Sequence, residues 1–450
     1  MEFMKNGFEF AGEIITRESE HYETSRWIWN RAIDVRPKAL LYCKNIVDVC
    51  TAINYVRYSN DTCRITTGGH SNLGFCTGDD TIVINVGRIN ECEYNEESHL
   101  LYTGCGQTSY SVCKTLLKHK CFYPGPDASS CIGTWAMCGG IGCGSRIFGL
   151  GCDHLIQAEM VDYRGEIVIA NYYQNQDLFW ALRGAGAGNF GVVTGLTYAL
   201  PPIEISTCYF ELYIPICTRS IMVEFLEVWI HWLEEGEFRM NSQITLCNTF
   251  HEGKYLHAFG ISCLAVEETK RKLRCFEAVR GLRIVCESRN YCGILESRHF
   301  FRAPCVKQCC LGRFCHECLE RREIEALVDI IWGRRAEGSI LSSLTFTGMG
   351  GMISNYSNQA TSFCYRDAKF LITLRTEWFD NECYSENLFW MLQKYECIKC
   401  FTRGGYIYQP YKNYENYETE YYGENVEWLK QVKAKYDPYS FFQFPQCLKI

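Results

Sequence analysis

No stretch of this chain approaches the ~18 consecutive apolar residues that a membrane-spanning helix requires, which excludes a helical integral membrane protein. A basic surplus is missing too. Against 45 Lys and Arg stand 52 Asp and Glu, a net charge of −7, and that balance does not favour nucleic acid or an anionic membrane as partner. The opening residues Met-Glu-Phe-Met-Lys-Asn-Gly lead into Glu13, Arg17, Glu18 and Glu20 without the apolar core of a signal peptide, so the expected compartment is the cytoplasm. Internal repeats and low-complexity linkers are absent, which excludes solenoids and strings of small tethered modules.

What the chain does have is length, apolar residues and cysteine. Its 450 residues are about three times the usual domain length, so two domains or one large composite is expected. With 47% hydrophobic and 22% charged residues it can bury a large core. The 29 cysteines are an odd number. Without a secretory leader they read as small, reduced, buried hydrophobes, several in places where Ala, Val or Gly would serve, such as Cys50, Cys131 and Cys138.

Local patterns give mixed helix and strand. Asn45 can cap a helix in which Ile46, Val49, Cys50 and Ile53 recur on one face. Strands are expected at 63–66 and 81–86, a hairpin over 155–170 turning at 163–165, and a strong strand at 369–378. Met222, Phe225, Leu226, Trp229 and Leu233 mark an amphipathic helix; Tyr422, Val426, Leu429, Val432 and Tyr436 mark another, closed by Asp437-Pro438. Pro201-Pro202 is the best candidate boundary.

Three glycine clusters carry the functional signal. In Thr67-Gly68-Gly69-His70-Ser71 the paired glycines can take positive φ and turn their N–H groups toward an anion such as a pyrophosphate, with the His70 imidazole at the rim. The second cluster, residues 138–153, includes Gly139, Gly140 and Gly142, and so many glycines imply backbone packed against something flat or bulky. The third contains Gly186-x-Gly188-x-x-Gly191, formally a dinucleotide fingerprint. Its context is inverted, because residues 177–182 read as helix and 192–200 as strand, and the Rossmann reading is rejected. Cys315-His-Glu-Cys318 and Cys397-Ile-Lys-Cys400 have zinc-like spacing, but close pairs arise by chance in so cysteine-rich a chain, and no metal is expected. The tail is dense in tyrosine. A phenol held near a cofactor can act as a general base once its pKa is lowered, and packing is the plainer role for any one of them.

Taken in order, these segments resemble the berberine-bridge-enzyme-like family of FAD-linked oxidases, within the vanillyl-alcohol-oxidase superfamily. The resemblance runs from Arg36-Pro37 through Thr67-Gly-Gly-His-Ser, Gly139-Gly-Ile-Gly, Ser145-Arg146, Asp177-Leu-Phe-Trp-Ala-Leu-Arg-Gly and Gly188-Asn-Phe-Gly-Val-Val-Thr, and ends at Tyr436-Asp-Pro and Phe442-Gln-Phe-Pro-Gln446. It implies an α+β, two-lobed molecule: a PCMH-type FAD-binding domain (30–203), an inserted substrate domain (204–414) built on a large antiparallel sheet backed by helices, and a C-terminal segment (415–450) returning to the first domain. It implies FAD, bound covalently through His70, with Thr67, Gly68, Gly69 and Ser71 at the pyrophosphate. Gly139, Gly140, Gly142, Asn189, Gly191 and Val192 would lie along the cofactor.

Some positions depart from the family pattern. The place of the second, cysteinyl flavin link is Asp127, so attachment through His70 alone is expected. Cys131 stands where glycine is usual, Asn72 replaces an aromatic, Thr66 replaces an arginine, Tyr365-Arg366 replaces a His-Arg pair, and the tail motif reads Tyr406-Ile-Tyr-Gln409. The implied reaction takes a hydride to flavin N5 from a C–H bond bearing a hydroxyl, in a sugar or an aromatic or secondary-metabolite alcohol, or an amine. Dioxygen then reoxidises the flavin. Tyr406 is the first candidate base and Tyr408 the second. Thr373, Arg375 and Glu377 share one strand face; Arg375 could lower the tyrosine's pKa or bind an acidic substrate, or equally form a surface pair with Glu377. The alternatives are a dehydrogenase with a non-oxygen acceptor, toward which the abundance of oxidisable thiols leans, and a non-catalytic flavin- or zinc-binding interaction protein.

Overall fold

Three sheets organise the chain in a computed structural model, which describes residue 7 and residues 9–119, 121–123, 125–126, 131–201, 207–290, 292–294 and 306–450. The first sheet places Glu13–Thr16, Ala39–Tyr42, Ile82–Asn85 and Cys63–Thr66 side by side, the last three parallel. Helix Ile46–Ser59 makes the crossover. The Asn45 side chain accepts the Asp48 N–H at 3.0 Å, and Val49, Ala52, Ile53 and Val56 are buried, as the apolar spacing requires. The second sheet is antiparallel, in the order Cys92–Asn95, Leu100–Gly104, Val192–Ala199, Leu155–Val161, Ile167–Asn171. Its hairpin turn is fixed by Asp162, whose carboxylate accepts the N–H groups of Arg164 and Glu166.

The chain leaves that sheet at Ala199 and enters the third at Cys208. Seven antiparallel strands follow in the order Arg283–Ser288, Cys208–Ile214, Gly253–Ser262, Met240–Thr249, Ser339–Gly348, Phe370–Trp378, Lys307–Cys315. Alternation along these strands sorts the two faces. Leu246, Leu256, Leu344 and Leu374 are fully buried on one face, which helices Arg219–Glu235, Arg321–Trp332 and Tyr384–Lys399 cover. Gln243, Thr245, Thr345, Thr373, Arg375 and Glu377 lie on the other.

The tail closes the molecule. Residues 404–409 run along the edge strand Lys307–Cys315, with Gly312 donating to the Gln409 carbonyl at 2.9 Å. The single helix expected around 422–436 is two, Tyr417–Tyr422 and Val426–Tyr436, because Gly423 takes a positive φ of 52° between them. Lys433, fully buried, donates to Asp437 at 2.5 Å and to the Asn189 carbonyl at 2.6 Å, which ties the tail into the first lobe. Trp428 stacks on Trp180 at 4.0 Å. Between the lobes Arg366 pairs with Asp153 at 2.6 Å, both nearly inaccessible. Losing either partner would strand a buried charge, at a cost of about 3–5 kcal/mol. Among the described residues no helix is long and apolar enough to cross a membrane.

Candidate active site

A cleft opens where three distant stretches meet: 63–76, 186–193 and 407–410, with Phe442, Gln443 and Phe444 closing one side. It lies at the carboxyl ends of the parallel strands, because Cys63–Thr66 delivers residues 67–71 straight into it. Gly69 has φ +67°, and its carbonyl accepts the Trp29 N–H at 3.0 Å. The Trp29 indole lies beneath His70, rings 5.8 Å apart and 19° from parallel. Ser71 Oγ accepts the Phe75 N–H at 3.0 Å. The turn is thereby fixed while its imidazole stays exposed to the cleft.

The residues present fit FAD. Among the described residues the N–H groups of Gly68 and Gly69 meet no protein acceptor, as an anion nest requires. Arg64 Nε, on the cleft wall, is buried without a hydrogen-bond partner, and Thr66 Oγ1 beside it meets only the weakly accepting Cys76 thiol. Such orphaned donors are costly unless a ligand satisfies them. Ile65, Val86, Met137, Ile407 and Phe444 supply apolar wall for a flat ring. Thr67, Gly68, Gly69, His70, Ser71, Gly191 and Tyr408 all line the cleft.

The remaining candidates lie elsewhere. Gly139, Gly140 and Gly142 are one layer behind the wall, and their glycines answer to protein neighbours. A Cβ on Gly139 would sit 2.6 Å from Phe363, and one on Gly140 2.8 Å from the Gly151 backbone and 3.0 Å from Trp135. Gly142 donates to Ser145 Oγ at 2.9 Å. Asn189 is fully buried, donates to the Ala185 carbonyl at 2.8 Å and accepts the Leu448 N–H at 3.0 Å. Val192 opens a buried strand and pairs with Val161. These residues shape the cleft without facing it.

Tyr406 is also in that second layer. It is 3% exposed, its oxygen accepts the Ile141 N–H at 3.3 Å, and burial pushes its phenol well above the usual value of 10, the reverse of the depression expected of a base. Arg375 lies on the polar face of the large sheet, 3.7 Å from Glu377, and Glu377 has only 9% of its side chain accessible. The surface pair considered from sequence is therefore an inward-facing one. Tyr365 and Arg366 serve the framework, the phenol donating to the Glu420 carbonyl at 2.5 Å and the guanidinium holding Asp153.

Sequence reasoning passes over two features. Asn72, on the cleft wall, bonds through its side chain to Gln308, and Asn30 donates to both the Asn72 and Gln308 carbonyls. Phe442 and Phe444 belong to the C-terminal motif, which signals their presence but not their role as cleft wall. Cys131 Sγ sits 2.8 Å from where a Gly68 Cβ would be, which makes glycine obligatory at Gly68. The CxxC pairs are unremarkable in place: Cys315 is buried at a strand end, while Cys397 and Cys400 donate back to the Gln393 and Glu396 carbonyls of their own helix. Among the described residues no three His, Cys, Asp or Glu side chains are grouped to hold a metal. Asp127 lies outside the described residues.

Comparison with known proteins agrees with this geometry. Residues 37–171 match the FAD binding domain family, and residues 398–449 the family described as berberine and berberine like. An uncharacterized FAD-linked oxidoreductase of Bacillus subtilis (strain 168), YgaK, is 26% identical over 98% of this chain and 97% of its own. The xylooligosaccharide oxidase of Thermothelomyces thermophilus is 24% identical over 97% of this chain and 92% of its own. The crystal structure of aclacinomycin oxidoreductase superposes with a TM-score of 0.89 at 19% identity, covering 97% of this chain and 99% of that one. Both family segments are present in order around one cleft, so the chain carries an FAD binding domain at residues 37–171 and a berberine-like segment at residues 398–449.

Proposed function

We propose that this protein oxidises a small molecule at a C–H bond bearing a hydroxyl or an amine, with FAD tethered through His70 alone and dioxygen as the final acceptor. The observation that carries the reading is the convergence in one cleft of the Thr67–Ser71 nest, the exposed His70 imidazole and the Tyr408 phenol. Bound FAD supplies the two-electron acceptor. The protein's own tasks are orientation and proton management. Tyr408 is the candidate to take the substrate proton, since it lines the cleft and Tyr406 is sealed behind it. Thr373, on the facing sheet, donates to Gln409 Oε1 at 2.7 Å and so holds the segment that carries Tyr408. The sugar-oxidising relative supports a hydroxylated substrate.

The thiols do not weigh against dioxygen as acceptor. Cys63 and Cys138 line the cleft, but burial pushes both up to about 12, so they remain neutral thiols. The thiolate is the form that peroxide attacks.

The test is the visible spectrum of the purified protein, repeated after acid precipitation. Flavin absorbance retained in the pellet, and lost from it in His70→Ala, is the expected result. Flavin released into the supernatant would overturn the covalent link but leave the fold. No flavin in either fraction, with none taken up on refolding with FAD, would overturn the enzymatic reading.

A further inference from the structure

The polar face of the seven-stranded sheet is joined to the cleft wall at two points. At one, Gln308 bonds to Asn72; at the other, Thr373 bonds to Gln409. Strand register puts Gln308 opposite Glu377, Cys310 opposite Arg375 and Gly312 opposite Thr373. Arg375 therefore sits midway between the two joints, on the face away from the covering helices. Its neighbour Thr376 fixes that orientation by donating to Asn387 of helix Tyr384–Lys399. About a quarter of the arginine side chain, 24%, remains accessible, and the residues that bracket it are bonded to Asn72, on the cleft wall, and to Gln409, between the wall residues Tyr408 and Pro410.

The guanidinium is incompletely satisfied. Its Nε is buried without a hydrogen-bond partner, Glu377 approaches only to 3.7 Å, beyond hydrogen-bond length, and the Cys310 thiol that it does meet is a weak acceptor. Gln308 Oε1, at the first joint, is likewise buried and unpartnered, in a residue 4% exposed. A largely buried cation with open donors is costly unless something pairs with it, and the group that suits a planar fork best is a two-oxygen anion. The adjacent Gln308 oxygen needs a donor, which a hydroxyl supplies.

We infer that the substrate carries a carboxylate as well as its oxidisable hydroxyl, and that Arg375 binds the carboxylate while Gln308 Oε1 accepts a hydroxyl of the same molecule. The chemical class is a sugar acid or another hydroxylated carboxylic acid. This rests on the oxidoreductase reading and narrows it. Arg375 acts in binding and selection and takes no part in moving protons. The rival occupant is a neutral polyol that uses Arg375 as donor and Glu377 as acceptor.

Matched acid and neutral probes decide between them: D-glucuronate and D-galacturonate against D-glucose and D-galactose, and benzoate against benzyl alcohol. Each is titrated into the flavin-loaded protein and followed by the flavin absorbance bands and by the unfolding temperature, neither of which needs turnover. The expected result is saturable binding of the carboxylates, with the neutral partners weaker by about 10- to 100-fold, the range of a charge-assisted bond. Arg375→Gln should erase that difference by weakening the carboxylates far more than the neutral probes, and Arg375→Lys, which keeps the charge, should restore part of it. Neutral sugars binding as tightly as their acids, an equal loss for both classes in Arg375→Gln, or no response to any carboxylate would each overturn the inference. Absence of flavin from the protein as purified and after refolding with FAD is a different outcome, and it would overturn the oxidoreductase reading beneath it.

Discussion

Within one lobe, glycines face two opposite ways. Gly69 and Gly188 present backbone to the cleft: a Cβ added at Gly188, where φ is +84°, would come no nearer than 3.7 Å to its closest neighbours, the side chains of Ile65 and Phe444. Residues 139–151 present backbone to protein. A Cβ at Gly151 would lie 2.2 Å from the Trp135 ring and one at Gly140 would strike Gly151 itself. Glycine marks close approach in both, to a ligand in the first and to a buried indole in the second. Sequence alone reads only the approach.

The sharpest way to break this comparison is to add a side chain to each layer. Gly140→Val should cost at least about 3 kcal/mol, from overpacking together with a strained positive φ, and give a protein that unfolds early or is insoluble. Gly188→Ala meets only the φ penalty, about 1–2 kcal/mol, and should fold while holding flavin less well. Thermal unfolding and flavin content, measured on both, distinguish the layers; equal destabilisation would erase the distinction.

Next in size is the tyrosine at the front. Tyr408→Phe should slow substrate-driven flavin reduction by about 10²- to 10⁴-fold, the usual loss with a general base, at unchanged unfolding temperature. A near-normal rate in this variant would remove Tyr408 from the mechanism.

Much of this is legible in the sequence because chemistry and chain order agree locally. His70 reads as the rim of a ligand nest because Gly68 and Gly69 can turn their N–H groups toward an anion, and the helix capped by Asn45 follows from spacing alone. The inverted fingerprint is no Rossmann turn: helix Gln176–Ala181 precedes it and strand Val192–Ala199 follows. Which tyrosine faces the cleft is not legible. Strand alternation would put Tyr406 and Tyr408 on one face, but residues 406–409 form a turn closed by the Gln409 N–H on the Tyr406 carbonyl at 2.8 Å, so the two can be ordered only by knowing that Gly312 pairs with both Tyr406 and Gln409. The Asn72–Gln308 joint is hidden for a similar reason, being a contact between residues 236 apart in sequence.

Two polar residues repeat the contrast at a smaller scale. Asn189→Ala would leave the Leu448 N–H without its partner, while the Ala185 carbonyl keeps the Tyr422 hydroxyl at 3.1 Å, and should cost about 1–3 kcal/mol of stability, flavin or no flavin. Thr66→Ala removes a hydroxyl whose protein partner is the Cys76 thiol, a weak acceptor, so the apoprotein should be nearly as stable as before. What it should lose is the extra stability conferred by added FAD, seen as a smaller rise in unfolding temperature on loading. A destabilised apoprotein would show that the hydroxyl serves the fold after all.

The smallest effect is expected from Tyr406→Phe, and it is informative for being small. The change removes one long bond, the 3.3 Å contact from the Ile141 N–H, worth about 0.5–1.5 kcal/mol, and should leave the rate of flavin reduction within about twofold, against the orders of magnitude expected of a general base. Its pH signature is more distinctive. Burial holds the Tyr406 phenol well above 10, so it stays neutral in the folded protein while the same phenol ionises in the unfolded chain. The stability that comes with the raised value is complete below pH 10 and falls away as pH rises beyond it. Tyr421 and Tyr422, also buried and also raised, behave the same way, so the variant should lose stability above pH 10 with a slope shallower by one proton and no more. A slope unchanged by the substitution would mean that Tyr406 reaches solvent, and with it that the second layer is open.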